Sequence, residues 1–173
     1  MKFVKAKEID IENIIEFYKE VIVGVSKTDV KLGWDINVYP TREWITEAVT
    51  KNELVLYKDE NEIAACCIVN YDMIEEYDTV NWIVSEPKEK ISTIHTFAVN
   101  PKYWGKGIAC EFLQKVVDYC KSNGDVANHL DVIDSNYKAL KTYLKVGFKE
   151  IDKIKMFYEA VGTREFWMLE YVF

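Results

Sequence analysis

The stretch "FAVNPKYWGKGIACEFLQKVVDYC", residues 97–120, passes from the end of an apolar segment, through two glycines one residue apart, into an amphipathic run. The chain has only seven glycines, so spending Gly105 and Gly107 on one junction calls for a reason. Glycine lets the backbone come close to a ligand, and the free N–H groups of a helix's first turn point at whatever sits there. A strand–glycine–helix junction of this kind is a common anion site. The plainer reading is that the two glycines only turn the chain. The flanking elements are clear: Ile108, Phe112, Leu113, Val116, Val117 and Cys120 recur at helical spacing, and "ISTIHTFAV" before the loop reads as a strand.

The same alternation of elements extends outward. Residues 2–6 form a short strand, followed by a helix from about Ile9 on Ile11, Ile14, Ile15, Tyr18 and Ile22. A break at Gly33 and Pro40 precedes a second helix capped by Thr41. "ELVLY" and "EIAACCIVNY" read as a hairpin across "KDEN", the second strand apolar throughout and hence covered on both faces. Residues 71–90 carry no clean periodicity; loops this long are functional or mobile. After the glycine helix come a strand "ANHLDVI", a helix "SNYKALKTYLKVG", and strands "FKEIDKI" and "EFWMLEYVF". Without repeat, low-complexity tract or linker, residues 1–173 read as one α/β domain.

Composition narrows the function. A net charge of −7 with only two arginines argues against nucleic acid, which needs a basic footprint. No apolar run approaches membrane-spanning length and the N-terminus lacks a signal-peptide core, so a cytoplasmic protein without a membrane partner is expected. The four cysteines form no CxxC pair and histidine occurs only at His95 and His129, so no metal is expected and the thiols read as reduced core residues. Nine carboxylates against two lysines between Asp59 and Lys90 read either as a solvated face or as a mouth attracting a cationic substrate.

Two separate motifs resemble the GNAT superfamily of acyl-CoA-dependent N-acetyltransferases. The first, Trp104-Gly105-Lys106-Gly107-Ile108-Ala109, looks like the family's Q/R-x-x-G-x-G/A pyrophosphate loop, with Trp104 where Gln or Arg is usual. The second is Asn136, Ala139, Tyr143 and Gly147-Phe148, the N-x-x-A-x-x-x-Y-x-x-x-G-F pattern. The resemblance implies an α/β fold of the α+β type, a mixed and mostly antiparallel sheet of about six to seven strands flanked by about four helices. It also implies acetyl-CoA as co-substrate, held by Phe97, Ala98 and Val99 along its amide-rich arm, by Trp104–Ala109 at the pyrophosphate, and by Asn136, Ala139 and Tyr143.

Tyr143 matches the family's general acid beside the thioester sulfur, and His95, four residues before Val99, occupies a position that assists deprotonation, directly or through water. The acceptor is expected to be a cationic amine. Aromatic residues Trp34, Tyr39 and Trp82, with carboxylates Asp35, Glu75 and Glu76, are its candidate contacts, and polyamine, aminoglycoside, amino acid and protein N-terminus stay open. The expected activity is acyl transfer from acetyl-CoA to a primary amine, by a monomer or homodimer. A non-catalytic acyl-CoA-binding sensor or regulatory module is the alternative.

Overall fold

The computed structural model describes residues 1–158 and 162–173. A seven-stranded sheet has the spatial order β1-β2-β3-β4-β5-β7-β6, built from β1 (Lys2–Lys5), β2 (Leu54–Asp59), β3 (Glu62–Asn70), β4 (Ile91–Val99), β5 (Ala127–Ile133), β6 (Lys149–Tyr158) and β7 (Gly162–Val172). All neighbouring pairs are antiparallel except β4 and β5. Four α-helices accompany the sheet among the described residues: α1 (Ile11–Ser26), α2 (Arg42–Thr50), α3 (Ile108–Ser122) and α4 (Tyr137–Val146). The expected mixed, mostly antiparallel architecture is the one found. β6 and β7 extend several residues beyond the apolar segments read as their strands, because much of β6 is solvent-facing and its lysines hide the alternation.

Side-chain alternation sorts the helices. Leu54, Leu56, Cys66 and Ile68 pack with α1 and α2 on one face, while Val55, Tyr57, Ala65 and Cys67 pack with α3 on the other. Both faces of β2 and β3 are therefore buried, which is why these strands read as unbroken apolar runs. Beyond β4 the α1/α2 face has no helix over it. There Tyr77 and Val80, from the connection between β3 and β4, pack on Ile133, Met156, Phe166 and Met168. The aperiodic 71–90 segment is thus a cover for the sheet, with two short 3-10 turns at Glu75–Thr79 and Lys88–Lys90.

Two irregularities in β4 shape everything that follows. Its parallel pairing with β5 covers only Ile91, Ser92 and Thr93, opposite Ala127, Asn128 and His129, after which the two strands part. On its other edge, Cys66 faces Ala98 while Ile68 faces His95, so β4 carries an extra residue at Thr96–Phe97. Thr96 takes a left-handed φ of 49° at that bulge. The bulge lets His95 and Thr96 both face α1 and α2, while Ile94 and Phe97 face α3.

Candidate active site

A cavity of about 880 Å³ fills the gap where β4 and β5 part. Because the gap perforates the sheet, the cavity has a wall on each face. On the α3/α4 side it meets the glycine loop. Gly105 and Gly107 hold φ of 74° and 81°, and a Cβ on either would meet nothing within 4 Å. The space on their outer side is open, and the left-handed backbone is the reason glycine stands there. The first intrahelical bond of α3 runs from Glu111 N–H to the Gly107 carbonyl at 3.1 Å. The N–H groups of Ile108, Ala109 and Cys110 are thus free in the first turn, beside the positive end of the helix.

Trp104 occupies the loop differently from a phosphate-binding side chain. Its indole Nε1 donates to the Val99 carbonyl at 2.8 Å, tying the loop to the end of β4, and its ring edge approaches Gly24 of α1. Lys106 does not line the cavity; its amino group lies 5.3 Å from the Tyr103 ring centre. The expected cofactor residues Phe97, Ala98, Val99, Trp104, Gly105 and Gly107 all do. So do Ile108, Ala109, Asn136, Ala139 and Tyr143. Asn136 earns its motif position as the cap of α4, its Oδ1 accepting from Ala139 N–H at 3.2 Å.

Tyr143 reaches the cavity from α4 and packs edge-on against Phe97, with ring centres 5.8 Å apart. Burial, and the charge of Asp131, push its hydroxyl well above the ordinary tyrosine range, so it is a proton donor at any physiological pH. That hydroxyl has no hydrogen-bond partner among the described residues, which leaves it available to a ligand.

The other wall belongs to the α1/α2 face. His95 lines it, with Nε2 3.0 Å from Asn70 Oδ1 and its ring edge-on to Trp44. Burial drives its pKa down to about 4, against the opposing hydrogen bond and charge of Asp72, so the ring is neutral at pH 7. Trp34 and Tyr39 join it on the lining. Trp82 does not. It stacks on His129, 3.7 Å between ring centres, and donates from Nε1 to the Tyr77 carbonyl. Buried Glu170 holds that arrangement by accepting from Ile83 and Val84 N–H, each at 2.9 Å, and by lying 3.0 Å from His129 Nε2. Trp82 is therefore part of the cover's anchorage and is corrected as an acceptor contact.

The carboxylates Asp35, Glu75 and Glu76 lie off the cavity as well; Asp35 instead accepts from Asn37 N–H. Among the described residues, the carboxylates lining the cavity are Asp72 and Asp131. Asp131 lies on β5, where Leu130 and Val132 point toward α3 and Asp131 points the other way, accepting from the Tyr77 hydroxyl at 2.8 Å. Burial pushes its carboxyl up to about 6. No three His, Cys, Asp or Glu side chains come together as a metal site among the described residues. The cysteines are free thiols, and burial pushes Cys66 up to about 12, which makes it a poor nucleophile.

Comparison with known proteins gives a consistent result. Residues 16–148 match the model of the acetyltransferase (GNAT) family. An uncharacterized N-acetyltransferase of Methanocaldococcus jannaschii is 25% identical over 157 residues, 85% of this chain and 67% of that protein. The N-alpha-acetyltransferase RimI of Mycobacterium tuberculosis is 32% identical over 75 residues, 43% of this chain and 46% of its own. Among solved structures, a GNAT-family acetyltransferase of Streptococcus agalactiae superposes with a TM-score of 0.83 at 17% identity, covering 99% of this chain and 95% of that one. An acetyltransferase of Salmonella typhimurium, solved with its cofactor acetyl-CoA, gives 0.71 at 11% identity, with coverage of 99% and 93%. No helix among the described residues is long and apolar enough to cross a membrane.

Proposed function

The chain belongs to the GNAT acetyltransferase family, and from that premise we propose an N-acyltransferase that moves an acetyl or other short acyl group from acetyl-CoA to a primary amine by direct attack. The observation that carries this reading is the placement of Tyr143 and His95 on opposite walls of one cavity that spans the sheet. The residues fit the cofactor: free N–H groups of the α3 first turn suit its pyrophosphate, and the parted edge of β4 suits the amides of its arm. Acetyl-CoA supplies a thioester whose carbon takes the amine nitrogen while the C–S bond breaks and CoA leaves as a thiol.

The chain's own groups manage the protons. Tyr143, protonated and free, donates to the departing sulfur. His95 is a weak base, poorly matched to a free ammonium ion. It is nevertheless unprotonated wherever the amine itself is available, and the new N–C bond acidifies the nitrogen enough for a neutral imidazole to take its proton. Acid and base thus act from the cofactor side and the acceptor side, one on the departing sulfur and the other on the attacking nitrogen. A non-catalytic binding module would have no use for this separation.

The test is amine-dependent release of CoA thiol from acetyl-CoA. Tyr143→Phe keeps the ring against Phe97 and removes one hydroxyl. Positioned proton transfer is worth roughly 10²–10⁴ in rate, and a thiolate already leaves readily, so a loss near the lower end is expected. It should fall on kcat, with the KM for acetyl-CoA little changed. Full activity in Tyr143→Phe would remove the general-acid role, and acetyl-CoA binding with no amine-dependent release would favour the binding module.

A further inference from the structure

On the α1/α2 face the cavity ends in a chamber whose walls are aromatic: Trp34, Tyr39, Tyr77, Tyr158 and Phe166. Asp131 is the carboxylate set among them. It is half-buried, and it lines the cavity. Oδ1 is held by the Tyr77 hydroxyl at 2.8 Å, and no other side chain among the described residues bonds the carboxylate. A carboxylate in such surroundings is costly unless something cationic meets it.

Nothing among the described residues does so. The one lysine or arginine on the lining, among the described residues, is Lys138 of α4. It belongs to the opposite side of the sheet from Asp131, since α4 packs with Leu130 and Val132. The second carboxylate on the lining, Asp72, shares its wall with His95, and that histidine is neutral at pH 7.

We propose that Asp131 is the anchor for the acceptor's ammonium group, and that the acceptor is a small amine with an aromatic or apolar body and no carboxylate beside the amine. The word acceptor rests on the acyltransferase reading above; the binding chemistry does not. The rings of Tyr39, Tyr77 and Tyr158 serve twice, giving apolar contact to the body and π-faces to the cation. An α-amino acid brings its own carboxylate up against Asp131, where no lysine or arginine among the described residues lines the chamber to receive it, and like charges at close quarters discriminate strongly. Free amino acids are thereby separated from the amines they would yield on loss of carbon dioxide.

The test compares pairs that differ only in that carboxylate: phenethylamine with phenylalanine, and cadaverine with lysine. Binding is measured by calorimetry at pH 8 on the intact protein with saturating CoA, so that no turnover intervenes. Each amine should bind at least roughly tenfold more tightly than its amino acid. Asp131→Asn, which keeps the oxygen that Tyr77 bonds, should weaken amine binding by about tenfold or more and largely erase the preference. Retained CoA binding reports that the variant is folded, and the comparison within the parent protein stands without it.

Equal binding of amine and amino acid, failure of both amines to bind, or an unchanged preference in a folded Asp131→Asn would overturn the proposal. Asp131-dependent amine binding with no release of thiol from acetyl-CoA would leave it standing and remove the acyltransferase reading instead.

Discussion

Thr96 holds a φ of 49°, a left-handed backbone that a β-branched residue enters only under constraint. Tyr18 supplies the constraint from α1. Its fully buried hydroxyl lies 3.1 Å from the Thr96 carbonyl oxygen and 3.0 Å from Thr96 Oγ1. Burial lifts that hydroxyl well above the ordinary tyrosine range, so it remains a donor. The bulge is what turns His95 toward α1 and α2 and Phe97 toward Tyr143, so the support of one residue bears on both walls of the cavity. Tyr18→Phe should cost about 1–3 kcal/mol, because the Thr96 groups lose a buried partner while the ring volume is retained. Chemical denaturation would show the loss as a lower midpoint at unchanged m-value. Turnover should fall further than the affinity for acetyl-CoA, since the glycine loop is untouched; a variant of parental stability and rate would mean the bulge holds itself.

At the scale of elements, α1 braces the glycine loop through its own glycine. A Cβ added at Gly24 would lie 2.4 Å from Pro101 Cγ and 3.2 Å from the Trp104 ring, in the turn that leads to Gly105. Alanine gains about 1 kcal/mol in helix propensity over glycine, but a rigid proline ring cannot swing away, and overpacking costs about 1–3 kcal/mol. Gly24→Ala should therefore be neutral to destabilising, and should weaken acetyl-CoA binding by displacing the loop. Tighter binding in a thermal-shift titration would contradict this brace.

The contrast between these elements explains what could be read from sequence. Gly105, Gly107, Asn136 and Tyr143 announce themselves because local backbone demands and local spacing fix their places at the cavity. Their cofactor-side neighbours followed. The α1/α2 wall of the cavity depends on long-range choices. Asp131 looks like a polar interruption in "ANHLDVI", and only the packing of Leu130 and Val132 against α3 decides that it faces the chamber. Trp82 looks like a pocket aromatic until Glu170, far along the chain, pins its loop and stacks it on His129. The parting of β4 from β5 leaves no local trace at all, since both strands continue as good apolar segments past Thr93 and His129.

For the whole molecule, the buried ionisable groups set opposing responses to pH. His95 has a folded pKa of about 4 against 6.5 in the unfolded chain, so between those values the unfolded chain takes up a proton that the fold refuses. Its contribution is lost as the pH falls, by up to about 3 kcal/mol at 1.36 kcal/mol per unit. His129, also pushed down by burial, acts in the same direction. Asp131 acts oppositely, with a folded pKa of about 6 against 3.8 unfolded. Its contribution is full at acid pH and is lost as the pH rises through 6, again by about 3 kcal/mol. The two large terms nearly cancel between pH 6.5 and 4, leaving His129 to tilt the parent gently toward lower stability in acid. Asp131→Asn removes one arm of this balance. The variant should be more stable than the parent at pH 8, where the parent keeps a buried charge without a cation. Its advantage should shrink through pH 6 and vanish near pH 4, where a protonated Asp131 is as neutral as asparagine. Unfolding by urea at pH 8, 6 and 4.5 reads this difference directly. A gap between variant and parent that stays constant with pH would mean that Asp131 titrates as an ordinary exposed carboxylate, and would remove the buried charge on which the acceptor chamber depends.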